Sequence, residues 1–258
     1  MSNDLGSILS FLTALHNRGK SFSTVNIHRS MLSMTLDPIE SIAIGSHPLV
    51  IRLLKGCYNS NPPSPRYTSI WNVQAVLDFM RRGEDNISLS IPLLTRKLAT
   101  LLAISSLLRV SELASLSREV RFTATEVHLS LLKPRKTQFS GPLREVSLSS
   151  FAEKIVCPID CLRVYLFFTD FYRNANNEKF LFVSLVHPFG PVTGNTVGRW
   201  IKTFLKEAGV DTSVFSAHST RGAAASSAAN SGIPIDAILR AGDWSRESTF
   251  SRFYHRSL

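Results

Sequence analysis

Hydrophobic side chains recur at helical spacing along the first 58 residues. The spacing predicts a helix over residues 5–18, whose apolar face consists of Leu5, Ile8, Leu9, Leu12 and Leu15. Ser23-Thr24 is predicted to cap a second helix that carries Val25, Ile27, Met31 and Leu32. A third helix is predicted from His47 to Tyr58. The chain therefore begins with a helical segment.

A polar, proline-rich run follows these helices. Its residues, Asn59-Ser-Asn-Pro-Pro-Ser-Pro-Arg66, cannot continue a helix, because proline lacks the backbone N–H and clashes with the preceding turn. We predict a helical domain over 1–60, a linker over 61–67 and a larger domain over 68–258. Sixty residues bury little apolar surface, so the first domain is expected to be partial or dependent on a partner.

The larger domain combines helical periodicity with two alternating segments. Glu126–Leu132 and Leu143–Leu148 alternate and are rich in strand formers, and Gly141-Pro142 lies between them, which predicts an antiparallel strand pair. Helices are predicted over 71–82, 94–108, 159–173, 196–208, 219–230 and 234–240, the last closed by Gly242. The helix over 94–108 is apolar nearly all round and is expected to be buried. The fold class is mainly α with a small antiparallel β-sheet (α+β).

Charge changes this picture by indicating a partner. The 258 residues include 29 Lys and Arg against 19 Asp and Glu, a net charge of +10, and 44% are hydrophobic. Such a basic globular chain favours a polyanion, and nucleic acid over membrane. The N-terminus lacks a signal-peptide pattern, and no stretch approaches the ~20 apolar residues that span a bilayer. A soluble intracellular protein is expected.

The three cysteines are Cys57, Cys157 and Cys161. Their odd number and the absence of a C-x-x-C pair indicate free thiols in a reducing compartment. Cys157-Pro-Ile-Asp-Cys161 could form half of a zinc site, but the sequence offers no second ligand pair of suitable spacing. Neither a metal ion nor another cofactor is expected.

Two arginines and a histidine are candidates for phosphate chemistry. Cleavage of a phosphodiester without a metal requires cationic donors on the non-bridging oxygens, a nucleophile and an acid for the leaving alkoxide. Arginine suits the first task, because its planar fork forms two parallel hydrogen bonds and stays charged. Arg109 and Arg221 are the candidates, and His218 shares one helical face with Arg221 if a helix begins there.

The order of these residues resembles the tyrosine recombinase (phage integrase) family. The motifs are Leu107-Leu-Arg109-Val-Ser-Glu112-Leu, Lys133-Pro-Arg-Lys136-Thr, His218-Ser-Thr-Arg221, Ala241-Gly-Asp-Trp244 and Tyr254. The resemblance covers residues 68–258 and implies the family's catalytic domain. The helices before the linker are similar to the end of the family's core-binding domain.

The resemblance also implies a role for each motif residue. Arg109, His218 and Arg221 would hold the phosphate, and Glu112 would brace the active-site arginine and histidine. Lys136 would protonate the leaving 5′ oxygen, with Lys133 as the rival assignment. Trp244 stands where most members have a second histidine; an indole N–H donates one hydrogen bond but carries no proton through catalysis.

Tyr254 is the candidate nucleophile, at a shifted position. In most members the tyrosine falls nine residues after the position of Trp244, which is Phe253 here, whereas Tyr254 is the tenth. Phenylalanine cannot attack phosphorus. Either a one-residue bulge re-aims the helix, or the chain is inactive.

Taken together, the resemblance implies DNA strand exchange through a 3′-phosphotyrosyl intermediate on double-stranded DNA, by four protomers, without a cofactor or small-molecule substrate. The segments 241–250 and 253–256, with Cys157-Pro-Ile at the start of a helix, are most similar to retroelement recombinases of the DIRS and Ngaro type. This resemblance implies integration of a mobile element and a nuclear location. The chain ends four residues after Tyr254, so the C-terminal helix that many members exchange is expected to be missing.

Two other functions stay open at this stage. A recombinase-derived DNA-binding protein without catalysis accounts for the shifted tyrosine. A topoisomerase of the tyrosine type shares the same chemistry and would relax supercoils without exchanging partner strands.

Overall fold

Two units make up the chain, Met1–Pro65 and Arg66–Leu258. The computed structural model describes residues 4–135, 138, 140–245 and 247–256, with Phe253 described by its backbone alone. Within residues 4–65 the helices are α1 (Leu5–Asn17), α2 (Phe22–Thr35) and α3 (Pro48–Ser60). They enclose a small core of their own, formed by Ile8, Leu12, Val25, Leu32, Ile44, Val50 and Leu54.

The start of α2 differs from the prediction. Ser21, and not Ser23-Thr24, is the N-cap: its hydroxyl accepts a hydrogen bond from the Thr24 amide at 3.2 Å. Phe22 is already helical, whereas Ser21 has the non-helical backbone (φ −60°, ψ 153°) from which a cap side chain reaches the free amides of the first turn. At α3 the cap is His47, whose Nδ1 accepts from the Leu49 amide at 3.3 Å.

The second unit is built around one buried helix. Its described helices are α4 (Val73–Arg81), α5 (Ile91–Ser106), α6 (Val110–Leu113), α7 (Pro158–Thr169), α8 (Gly194–Glu207), α9 (Ser219–Asn230), α10 (Ile235–Gly242) and α11 (Glu247–Phe253). As the sequence predicts, α5 is buried over most of its length, and it packs against α7, α8 and α9. A second apolar cluster joins α9, α10 and α11 through Ala225, Ile238, Trp244 and Phe250.

A three-stranded antiparallel sheet, in the order β1-β2-β3, lies in the described part of this unit. Its strands are β1 (Leu116–Phe122), β2 (Glu126–Leu131) and β3 (Glu145–Ser149). The predicted alternation appears in β2, whose Val127, Leu129 and Leu131 are buried. The sequence analysis missed β1. The predicted class, mainly helical with a small antiparallel sheet, is confirmed.

Two helix ends bear on the site. α5 ends at Ser106, and Leu107 takes a left-handed conformation (φ 54°) that turns the chain into α6. α10 was predicted to be closed by Gly242, which is wrong: Gly242 is its last helical residue, and Asp243 takes the left-handed conformation (φ 56°). Gly242 is needed for another reason, because a Cβ there would overlap the six-membered ring of Trp244. Among the described residues, no helix is long and apolar enough to cross a membrane.

Candidate active site

Arg221 lies in the first turn of α9, where its guanidinium is enclosed by protein. The residue is 2% exposed, and none of its three guanidinium nitrogens has a hydrogen-bond partner among the described residues. The guanidinium carbon lies 4.3 Å from the centre of the Trp244 ring and 5.7 Å from that of Tyr254. Buried polar groups are nearly always hydrogen-bonded. A cation with free donors beside two aromatic rings is therefore a prepared anion site.

Burial lowers the pKa of Arg221 to about 10, and the positive charge of Arg109 acts in the same direction. At neutral pH the guanidinium still carries its proton. A phosphate placed against it would add negative charge and the acceptor oxygens that no described residue offers to this guanidinium.

Trp244 forms the wall on which Arg221 stacks. It follows α10 directly, and its amide donates to the Leu239 carbonyl at 3.0 Å. The centre of its ring lies 5.3 Å from the ring centre of Phe250 and 4.7 Å from that of Tyr254. Cation–π contact of this kind holds a guanidinium plane without using its N–H donors.

Tyr254 lies just beyond the last residue of α11. Its amide and that of His255 both donate to the Phe250 carbonyl, at 2.8 and 2.9 Å. The Ser226 hydroxyl donates to the Tyr254 carbonyl at 2.7 Å. Gly222 faces the tyrosine, since a Cβ there would lie 3.8 Å from Cδ1. The Tyr254 amide thus continues the hydrogen-bond register of α11, and the turn that follows is anchored to α9 through Ser226.

His218 is the N-cap residue of α9. Part of it is open to solvent, yet the protein around it lowers the pKa of the imidazole by desolvation, and the charges of Arg221, Arg109 and Arg66 lower it further. The imidazole is therefore neutral at pH 7 and able to accept a proton.

The segment that leads into His218 is fixed by two hydrogen bonds. Trp71 Nε1 donates to Ser219 Oγ at 3.0 Å, and the hydroxyls of Tyr67 and Ser216 lie 2.7 Å apart. The sequence analysis missed these four side chains, because their partners are about 150 residues away along the chain.

Arg109 and Glu112 form one local pair around the start of α6. Arg109 Nη1 lies 2.7 Å from Glu112 Oε1, and the Arg109 amide donates to Glu112 Oε2 at 2.8 Å. The carboxylate is almost fully buried. Glu112 therefore orients Arg109, whose charge reaches both Arg221 and His218.

The basic hairpin is described only in part. Lys136 lies outside the described residues, and the rival Lys133 is exposed shortly after β2. Between them, Arg135 is buried and contacts Glu112. The sequence analysis missed Arg135, because a basic hairpin is usually solvated. No group of three or more His, Cys, Asp or Glu side chains that could hold a metal ion occurs among the described residues.

The structure thus brings Arg109, Glu112, His218, Arg221, Trp244 and Tyr254 into one region. The sequence matches the phage integrase family over residues 72–258. The chain belongs to the phage integrase family. No curated protein matches this sequence.

Solved structures of other phage-integrase-type proteins have a similar fold. The XerH site-specific recombinase, in a pre-cleavage complex with its difH substrate, has a TM-score of 0.63 and 15% identity over 98% of this chain and 67% of that chain. The Tn1549 transposon integrase, in complex with circular intermediate DNA, gives 0.55 and 15% over 100% and 84%. A lambda integrase dimer bound to a COC′ core site gives 0.54 and 15% over 97% and 78%. At such identities the likeness shows the fold.

Proposed function

We propose that this phage integrase family member is a site-specific DNA recombinase that cleaves and rejoins strands, with Tyr254 as the nucleophile. One observation carries the proposal: the buried Arg221 guanidinium lies beside the Tyr254 ring and donates no hydrogen bond to a described residue. A phosphodiester fits this site, because it brings negative charge and acceptor oxygens for the unpaired N–H donors.

Each side chain has one part in the proposed reaction. Tyr254 attacks phosphorus and forms a 3′-phosphotyrosyl bond, while neutral His218 takes the phenolic proton. Arg109, Arg221 and the Trp244 indole stabilise the charge that develops on the non-bridging oxygens.

Lys136 gives a proton to the departing 5′ oxygen. A 5′-hydroxyl of another strand then attacks the phosphotyrosine and releases Tyr254. One ester replaces another at every step, so the reaction consumes neither water nor nucleotide, and we propose that it runs without a metal ion.

The proposed partner is double-stranded DNA, bound by four protomers. The net charge of +10 supports the DNA partner, as do the similar XerH, Tn1549 and lambda proteins, which were solved with DNA. Only the family resemblance supports the number of protomers. The first unit would act as a partial core-binding domain. The sequence of residues 241–250 and 253–256 supports a narrower proposal, a nuclear recombinase that integrates a mobile retroelement of the DIRS or Ngaro type.

A catalytically inactive DNA-binding protein is the second candidate. The observation that favours it is the offset of Tyr254, which is ten residues after Trp244 and follows the end of α11. Both candidates bind DNA, so only capture of a covalent intermediate separates them.

Covalent capture on nicked duplexes tests the proposal. The purified chain is mixed with a randomised pool of nicked DNA in EDTA and stopped with detergent, beside Tyr254→Phe and the control Tyr172→Phe, a half-buried tyrosine outside the site. We expect adducts from the wild type and the control, but none from Tyr254→Phe. Adducts that survive in Tyr254→Phe would disprove the nucleophile. DNA bound without any adduct would favour the inactive protein.

A further inference from the structure

Arg135 is a buried arginine placed between two carboxylates from distant parts of the chain. It is 4% exposed, its Nε lies 3.4 Å from Glu112 Oε1, and its Nη1 lies 3.4 Å from Asp243 Oδ2. Burial lowers the pKa of Arg135, while the charge of Glu112 acts in the opposite direction. A buried cation of this kind is stable only while both anions remain beside it.

The two carboxylates belong to different halves of the candidate site. Glu112 binds the side chain and the amide of Arg109. Asp243 is the left-handed residue that ends α10 and immediately precedes Trp244. Arg135 is therefore the link between the segment that carries Arg109 and the segment that carries Trp244.

Arg144 is a natural control for this link. It lies 3.6 Å from the same Asp243 and donates to the Arg240 carbonyl at 2.6 Å, but its side chain is 28% exposed. It thus shares one carboxylate and the positive charge of Arg135, without the burial and without the ion pair to Glu112.

We propose that Arg135 is a positioning residue for strand cleavage. Its guanidinium joins Glu112 to Asp243 and thereby fixes Arg109 relative to Trp244 around the phosphate. The inference rests on the proposed function for the cleavage step only. Because Arg135 is buried, its loss changes the rate of cleavage and leaves DNA affinity in place.

Single-turnover capture at saturating nicked DNA measures the effect. We expect Arg135→Gln to cleave about a hundredfold more slowly, the loss that a displacement of about 1 Å can cause. Arg135→Lys should recover part of the rate, and Arg144→Gln should lose much less. Melting temperatures show that each variant is folded. Cleavage by Arg135→Gln at the wild-type rate, or an equal loss in Arg144→Gln, would overturn the proposal.

A sulfur-substituted substrate separates this role from one exerted through Lys136, the next residue in the sequence. With sulfur in place of the bridging 5′ oxygen, the leaving group is a thiolate, whose acid has a pKa of about 8.5 and needs no proton donor. If Arg135 acts through Glu112 and Asp243, Arg135→Gln stays slow on this substrate. If the substrate restores its rate, Arg135 serves the proton donor instead, and the proposal fails.

A double-variant cycle tests the link itself. Asn tolerates the left-handed conformation of residue 243, so Asp243→Asn removes the charge with little backbone strain. Joined residues predict non-additive losses, whereas full additivity would contradict the link. If the wild type forms no adduct, the proposed function fails, and the same cycle in melting temperatures still tests whether Arg135 and Asp243 are joined.

Discussion

Arg173 is half-buried and Arg221 is buried, and the two guanidinium groups use their donors in opposite ways. Arg173 donates to the carbonyls of Phe180 and Leu181, at 2.6 and 2.9 Å, and to Thr169 Oγ1 at 3.2 Å. The Arg221 guanidinium makes no hydrogen bond to any described residue. Burial lowers the pKa of both guanidinium groups, so desolvation alone does not distinguish them.

The difference shows how a structural arginine can be told from a ligand-binding one. Arg173 holds a loop to the end of α7, and its bonds offset the free energy of its burial. Burial also lowers the pKa of Arg221, but no hydrogen bond to a described residue offsets that desolvation, which is typical of a site prepared for a ligand.

The largest expected effects come from replacing each arginine by lysine, which should change activity in one variant and stability in the other. Arg221→Lys should lower the capture rate by about 10²–10³-fold, because the second donor of the planar fork is lost, and should leave stability intact. Arg173→Lys should lower the free energy of unfolding by about 2 kcal/mol and leave cleavage by the folded protein unchanged. Urea denaturation and single-turnover capture measure the two quantities. Similar profiles for the two variants would erase the distinction.

The wall behind Arg221 offers a second way to sharpen the comparison. In Gly242→Ala the new methyl group would overlap the Trp244 ring, which must move away from Arg221. We expect a loss of about 1–3 kcal/mol in stability, as for overpacking elsewhere, together with slower capture. Gly56→Ala, within α3 and with open space around it, is the control and should be neutral or stabilising. A fully active Gly242→Ala protein would show that Trp244 is dispensable.

An anion should satisfy Arg221 and leave Arg173 unaffected. At ten times its dissociation constant, inorganic phosphate should stabilise the wild type by about 1.4 kcal/mol. The gain should disappear in Arg221→Met and persist in Arg173→Met. Thermal melts in phosphate, against chloride at equal ionic strength, measure it. Equal gains in both variants would place the anion elsewhere.

The smallest effect concerns His218 and pH. Its pKa is lowered in the folded protein, so below the ordinary value of 6.5 the unfolded chain binds the proton more readily. The contribution of neutral His218 to the free energy of unfolding is intact above that pH and is lost as the pH falls towards the pKa of the folded protein. Stability should therefore fall less in His218→Gln than in the wild type between pH 7 and pH 5. Parallel curves would show that folding does not lower the pKa of this imidazole.

The sequence predicted the parts whose signal is local. The periodic helices, the buried helix over 94–108 and the β2–β3 pair follow from spacing and turn residues. β1 was missed because Arg118, Glu119 and Arg121 hide its alternation, and its pairing is irregular between Leu116 and Val120. The resemblance supplied the order of the candidate site residues, and their roles remain predictions.

Long-range contacts account for what the sequence could not predict in the site. Arg135 looks like one more hairpin charge until Glu112 and Asp243 enclose it. Gly242 looks like a helix stop until the Trp244 ring is placed over it. In both cases the meaning of the residue is set by a neighbour whose position depends on the whole fold.

The close approach of Gly222 to Tyr254 lets the tyrosine ring lie directly against α9. Alanine at position 222 would meet the tyrosine ring at 3.8 Å, an ordinary van der Waals distance, whereas a branched side chain would press the ring away from the helix. The distance between the α9 backbone and the tyrosine ring thus depends on the size of the side chain at position 222. A side chain larger than alanine at this position would therefore shift the proposed nucleophile without changing any charge in the site.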